Sequence, residues 1–154
     1  MTTRIESIIK VYVDTNVLVN YITGQTADVA SLNYLFKKRR KETLFTSSLA
    51  LVQTITQLQK GNKKNGRKPY NSAKASRAIT ELKKRITVLD LTEADIDEGM
   101  KESGRDLEDC IHYVLCRKVE CEAIMTNNVS DFSCFTKIRK LDPRYIGTIK
   151  QRIK

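Results

Sequence analysis

The residues best suited to chemistry in this chain are carboxylates, set in three separate segments. Asp14 follows the apolar run IIKVYV, Asp109 lies in DLEDCIHY and Asp131 in TNNVSDF. Two unpaired carboxylates about 4 Å apart repel by roughly 4 kcal/mol at an effective dielectric near 20. A cluster of them therefore needs protons, a basic partner or a divalent cation. Mg²⁺ takes oxygen ligands and keeps several waters, which suits a site that binds phosphate and activates water. Each acid also has a plainer use. Asp14 and Asp131 can cap a helix or turn, and Asp109 can complement a helix dipole.

Other chemistries have less support. The only histidine is His112, and Cys110, Cys116, Cys121 and Cys134 contain no Cys-x-x-Cys pair, so a zinc site is not indicated. These thiols read as structural or incidental. The segment DTNVLVN lacks the glycines and lysine of a phosphate loop, which weakens a nucleotide-binding or phosphoacceptor reading.

Alternating elements are needed to bring the acids together. Residues 8–13, 43–46, 85–89, 123–126 and 138–141 read as short strands rich in β-branched or apolar residues. Between them, apolar residues recur at helical spacing: Val17, Leu18, Tyr21 and Ile22; Val29, Leu32, Leu35 and Phe36; Leu49, Val52, Ile55 and Leu58; Ala75, Ala78, Ile79 and Leu82. Ser47 or Ser48 is the expected cap of the third helix and Gly61 its stop. Thr92 caps a helix to about Ser103, and a longer one starts at Arg105 or Asp106. The pattern predicts a three-layer α/β/α sandwich with a mainly parallel central sheet. In such sheets function collects beyond the C-terminal strand ends, where all three acids fall.

The 154 residues suit one domain, 1–154, with a basic loop excursion at 61–71 and a basic C-terminal tail. The net charge is +10. Residues 43–80 contain no Asp or Glu and carry +7, whereas residues 90–109 carry −7. A second basic run is Lys37-Lys38-Arg39-Arg40-Lys41. The imbalance points to a polyanion partner, most simply nucleic acid, although solvated basic faces give the same composition. No apolar run is long enough to span a membrane and no secretory signal is evident, so the cytoplasm is the expected location.

DTNVLVNY at 14–21, DLEDCIHY at 106–113 and TNNVSDF at 126–132 resemble, in order and interval, the acidic segments of PIN (PilT N-terminal) domains. The likeness covers nearly the whole chain and is best with the VapC-like toxin ribonucleases of toxin–antitoxin pairs. It implies a parallel sheet between helices and a Mg²⁺- or Mn²⁺-dependent endoribonuclease. It also implies an RNA substrate, an antitoxin partner and a homodimer, with α-helical segments 28–40 or 48–60 as candidate interfaces. By position, Asp14, Asp109 and Asp131 become the metal-binding and catalytic acids. Thr15 or Asn16, and Thr126 or Asn128, orient the acids or the scissile phosphate. Asp106, one turn before Asp109, joins the site or acts as a solvated cap. Lys63, Lys64, Arg67 and Lys68 in the basic loop hold the RNA backbone. The family usually has a Glu early in the helix after the second strand, and Gln53 stands there. Gln keeps a carbonyl acceptor and loses a charge, and it faces either core or substrate. A PIN-type module that binds RNA or protein without cutting is therefore the alternative.

Overall fold

The computed structural model describes residues 9–103 and 106–152. The strands are β1 (Val11–Val13), β2 (Leu44–Ser47), β3 (Thr87–Leu89), β4 (Ala123–Met125) and β5 (Arg139–Leu141). They form one sheet in the order β3-β2-β1-β4-β5, and every pairing is parallel. The helices are α1 (Thr15–Ile22), α2 (Thr26–Lys38), α3 (Ser48–Lys60), α4 (Ser72–Lys83), α5 (Glu93–Lys101), α6 (Leu107–Lys118) and α7 (Ile146–Arg152).

Side chains alternate across a strand, so a parallel sheet covered on both faces needs two apolar sets. β1 supplies both. Val11 and Val13 enter a core with Leu32, Leu35, Leu44, Leu82 and Met125. Tyr12 points to the other face, among Phe45, Ile111, Leu115, Ile124 and Phe132. All three β1 residues are fully buried, as a central strand requires.

The α/β sandwich agrees with the sequence reading, with local differences. The expected start of β1 at Ile8 lies outside the described residues, as does Arg105. Ser47, not Ser48, caps α3 by accepting from Ala50 N at 3.0 Å. α5 ends at Lys101 and Asp106 caps α6. Beyond β5, where only a basic tail was expected, α7 buries Ile149 in the core shared with Leu32 and Leu35. A seven-residue helix with few apolar positions offers too short a pattern to read as periodic.

Gly61 ends α3 at φ +70. A Cβ there would lie 2.7 Å from Arg67 O and 2.8 Å from Pro69 N. That close approach lets the chain fold back: Asn62 and Arg67 exchange backbone hydrogen bonds of 2.8 and 2.9 Å, and Tyr70 N donates to Leu58 O at 2.8 Å. The basic excursion is thus an ordered turn on the end of α3.

Candidate functional site

The chain leaves β1 for α1 on one side while β4 lies on the other, so the strand order reverses between β1 and β4. Ligand crevices of open α/β sheets form at such a point, outside the C-terminal strand ends. A cleft of about 570 Å³ opens here. Its lining includes Asp14, Thr15, Asn16, Gln53, Arg67, Glu108, Asp109, His112 and Asn128.

Asp14 is the first residue beyond β1 and its N–H donates to Met125 O at 2.9 Å. Its Oδ1 accepts from Thr15 N at 2.8 Å, which caps α1. Its Oδ2 accepts from Asn16 Nδ2 at 3.0 Å and from Thr126 Oγ1 at 2.9 Å. Capping and cleft exposure therefore coexist in one carboxylate, which is only 6% exposed. Thr126 Oγ1 also accepts from Asn128 N at 3.0 Å, holding the turn after β4 beside the cleft.

A second chain of contacts braces Asn16. Its Oδ1 accepts from Asn127 N at 3.0 Å, and Asn127 Nδ2 donates to Asp28 Oδ2 at 2.7 Å. Asn20 Nδ2 reaches the same oxygen at 3.4 Å. Asp28 is buried in the first turn of α2, and burial raises its carboxyl above the ordinary range against the opposing hydrogen bonds.

Asp109 enters from the first turn of α6, where its N–H donates to Asp106 Oδ1 at 3.1 Å. Asp106 is exposed and acts as the helix cap, which was the plainer of its two expected roles. Burial, together with the charges of Asp106, Asp14, Asp131 and Glu108, pushes the Asp109 carboxyl up to about 7. Asp131 is exposed on the turn Val129–Phe132. Its charge acts on Asp109, but its side chain is not among those lining the cleft. Among the described residues, no three His, Cys, Asp or Glu side chains stand together as a ready-made ligand group.

Gln53 lines the cleft, half-buried, in the second turn of α3. Its Oε1 accepts from Thr15 Oγ1 at 2.6 Å and from His112 Nε2 at 2.9 Å. A carbonyl oxygen only accepts, so His112 carries its proton on Nε2 and its Nδ1 accepts from Tyr12 Oη at 2.7 Å. Tyr12 in turn accepts from Ser47 Oγ at 2.7 Å. His112 is almost fully buried, and burial lowers its pKa despite Asp14 Oδ1 at 3.9 Å, leaving the ring neutral at pH 7.

Of the basic loop, Arg67 reaches the cleft and its Nη2 donates to Gln57 O at 3.3 Å. Lys63, Lys64 and Lys68 are exposed on the same turn. The sequence reading missed Tyr12, Asp28, Glu108, His112 and Asn127. His112 had a signal, since it follows Asp109 by three residues and so shares its helix face.

Among the described residues, Arg67 is the one cationic side chain lining the cleft with the acids. Oxygen donors, a carboxyl raised by burial and by its acidic neighbours, and neutral Gln53 and His112 fit a hard divalent cation. Asp14 and Asp109 would hold it, with the Gln53 side chain nearby.

Residues 11–135 match the family described as PIN domain. No curated protein matches the chain in sequence. Solved structures share the fold. VapBC2 from Rickettsia felis, bound to a promoter DNA fragment, is 15% identical with a TM-score of 0.62, covering 87% of this chain and 98% of that one. The sarcin-ricin loop cleaving toxin VapC20 of Mycobacterium tuberculosis is 17% identical with a TM-score of 0.58, over 84% and 97%. PAE2754 from Pyrobaculum aerophilum is 18% identical with a TM-score of 0.63, over 95% and 96%.

Proposed function

Because the chain belongs to the PIN domain family, we propose that it is a divalent-metal-dependent endoribonuclease, the toxin of a toxin–antitoxin pair acting in the cytoplasm. The observation that carries this reading is the pairing of Asp14 and Asp109 in one cleft at the β1–β4 switch point. The solved structures of similar fold include a toxin–antitoxin complex from Klebsiella pneumoniae and the sarcin-ricin loop cleaving toxin, which supports the same reading.

When bound, Mg²⁺ or Mn²⁺ supplies charge stabilisation to the phosphate and lowers the pKa of the attacking water. The chain's own residues do the rest. Thr126, Asn16 and the Thr15 N–H fix both oxygens of Asp14. Asp109 would hold the cation as a carboxylate, so its raised pKa would couple cation binding to loss of its proton. Asp131, on the exposed turn Val129–Phe132, would serve as the outer acid, binding the cation directly or through water. Thr15 and Asn128 orient the acids or the scissile phosphate, while Arg67, with Lys63, Lys64 and Lys68, holds the RNA backbone. An antitoxin covers the acidic cleft, and two copies form the active dimer.

One observation favours a second reading. Gln53 is neutral and committed to Thr15 and His112, so the cleft lacks the family's fourth acid. A module that binds RNA without cutting it follows from that. Labelled single-stranded RNA, incubated with Mg²⁺, Mn²⁺ or chelator and with Asp14→Asn in parallel, separates the two. Cation-dependent cutting lost in the variant supports the nuclease; binding without cutting supports the module.

A further inference from the structure

A second cavity, of about 510 Å³, lies at the other end of the sheet. Its lining is Asn33, Phe36, Lys37, Arg39, Lys41, Lys84 and Arg85, five cations and no acid. Lys37 and Arg39 come from the C-terminal end of α2, Lys41 from the turn leading to β2, and Lys84 and Arg85 from the turn leading to β3. These are the N-terminal strand ends, opposite the acidic cleft. β2 has four residues, so about 13 Å of strand alone separates the two levels.

The cations are held in place by the fold. Thr87 Oγ1, at the start of β3, donates to Lys41 O at 2.7 Å, tying that strand to the turn before β2. Arg85 lies over the Phe36 ring at 5.6 Å. Of the acids nearest in sequence, both exposed, Glu81 pairs with Lys84 of the lining at 2.7 Å and Glu42 with Arg40 at 3.5 Å, so the excess of positive charge rests chiefly on Lys37, Lys41 and Arg85. A concave surface of one sign focuses its field on a counter-ion.

α4 joins this cavity to the basic turn beside the cleft. It starts just after that turn and ends at Lys83, next to the cavity cations. Lys74, Arg77 and Lys83 are exposed along it. Twelve helical residues make a track about 18 Å long.

We propose that this cavity is a second anchoring site for the phosphodiester backbone of RNA, and that RNA leaving the cleft runs along α4 to reach it. The proposal rests on the RNA reading above. The one ring in the lining, Phe36, is already covered by Arg85, so the contacts are to phosphate and carry no sequence preference. Continuity with the cations at the rim of the cleft favours an extended phosphate chain over an acidic peptide.

The test is the triple variant K37Q/K41Q/K84Q, whose residues are all exposed. RNA binding in chelator is measured by anisotropy against salt, with oligonucleotides of about eight and about thirty nucleotides. The long RNA is expected to bind the variant about tenfold more weakly, with a log–log salt slope shallower by about 2, from three contacts at about 0.7 each. Short-RNA binding stays unchanged, as does its cutting in Mg²⁺. Wild-type long-RNA affinity and slope in the variant overturn the proposal. So does a variant that loses binding of poly-glutamate while keeping long RNA. Failure of the wild type to cut the short RNA, with the long-RNA difference intact, overturns the nuclease reading alone.

Discussion

His112 Nε2 stands 2.9 Å from Gln53 Oε1, and it is the only imidazole in the chain. This contact explains how the cleft accommodates an amide where the family usually has a carboxylate. The amide oxygen accepts from a neutral buried ring, and the far side of that ring is held through Tyr12 to Ser47.

Gln53→Glu would place a carboxylate against that ring and raise the His112 pKa above its unfolded value. The added stability is present below the unfolded pKa, near 6.5, and is lost as pH rises through the folded one. An increase of one unit or more is expected, about 1.4 kcal/mol per unit. NMR titration of the single histidine reads it directly. In the wild type His112 stays neutral down to below pH 6.5. The proton taken up by His112 offsets the new charge, so Gln53→Glu gains cation affinity chiefly above the raised pKa.

Asp109 carries the clearest pH signature. Its carboxyl rises from the ordinary 3.8 to about 7, so the folded protein binds a proton that the unfolded chain has released. Stability from this group is full below pH 4 and is lost as pH rises through 7. Without metal, Asp109→Asn should therefore raise Tm at pH 8 and leave it nearly unchanged at pH 4. With Mn²⁺ present the order at pH 8 reverses, because only the wild type gains from the cation. Thermal melts with chelator and with Mn²⁺ test both signs.

The same group links cation binding to proton release. Calorimetric titration of Mn²⁺ in buffers of different ionisation enthalpy should show close to one proton released at pH 6 and few at pH 8. Affinity should rise with pH and level off above about 7.

Asp28 contacts none of the reacting groups, yet through Asn127 and Asn16 it fixes Asp14. Asp28→Ala leaves the Asn127 and Asn20 amides without their acceptor, at a cost of about 1–3 kcal/mol. Cation affinity should fall about 10- to 100-fold, as for other outer partners of metal sites. Asp28→Asn keeps an oxygen for Asn127 and should recover most of it. Denaturant melts and Mn²⁺ titration of both variants check this.

Gly61→Ala tests the turn that carries Arg67. The backbone there costs a non-glycine residue about 1–3 kcal/mol, and the Cβ meets Arg67 O and Pro69 N. The variant should melt earlier and bind RNA more weakly, with catalysis on a saturating short RNA little changed.

Much of the fold was legible because each strand is short, apolar and bounded by capping residues, and because the helical stripes are regular. The places of Asp14 at a strand end and of Asp109 in the first turn of a helix were legible because such positions are fixed by local pattern. Asp131 was harder to place. Its segment is a short turn whose direction depends on Phe132 and Phe135 packing under α6. The bracing residues were hidden for a related reason. Asp28 and Asn127 are 99 positions apart, and Tyr12 and His112 are 100 apart, so no local window contains either contact. The charges of the acid-rich segment 90–109 serve separate local contacts. Asp95 closes a capping box with Thr92 and pairs with Lys118, while Glu102 pairs with Arg117.

The central claim is that Asp14 and Asp109 hold the cation that enables cutting. Initial cleavage rates on single-stranded RNA, measured against Mn²⁺ concentration for wild type, Asp14→Asn and Asp109→Asn, test it most directly. The account predicts saturable Mn²⁺ dependence in the wild type, abolition by chelator, and rates at least about 100-fold lower in both variants. Cutting that persists in chelator, or that both variants retain at the wild-type rate, would contradict it.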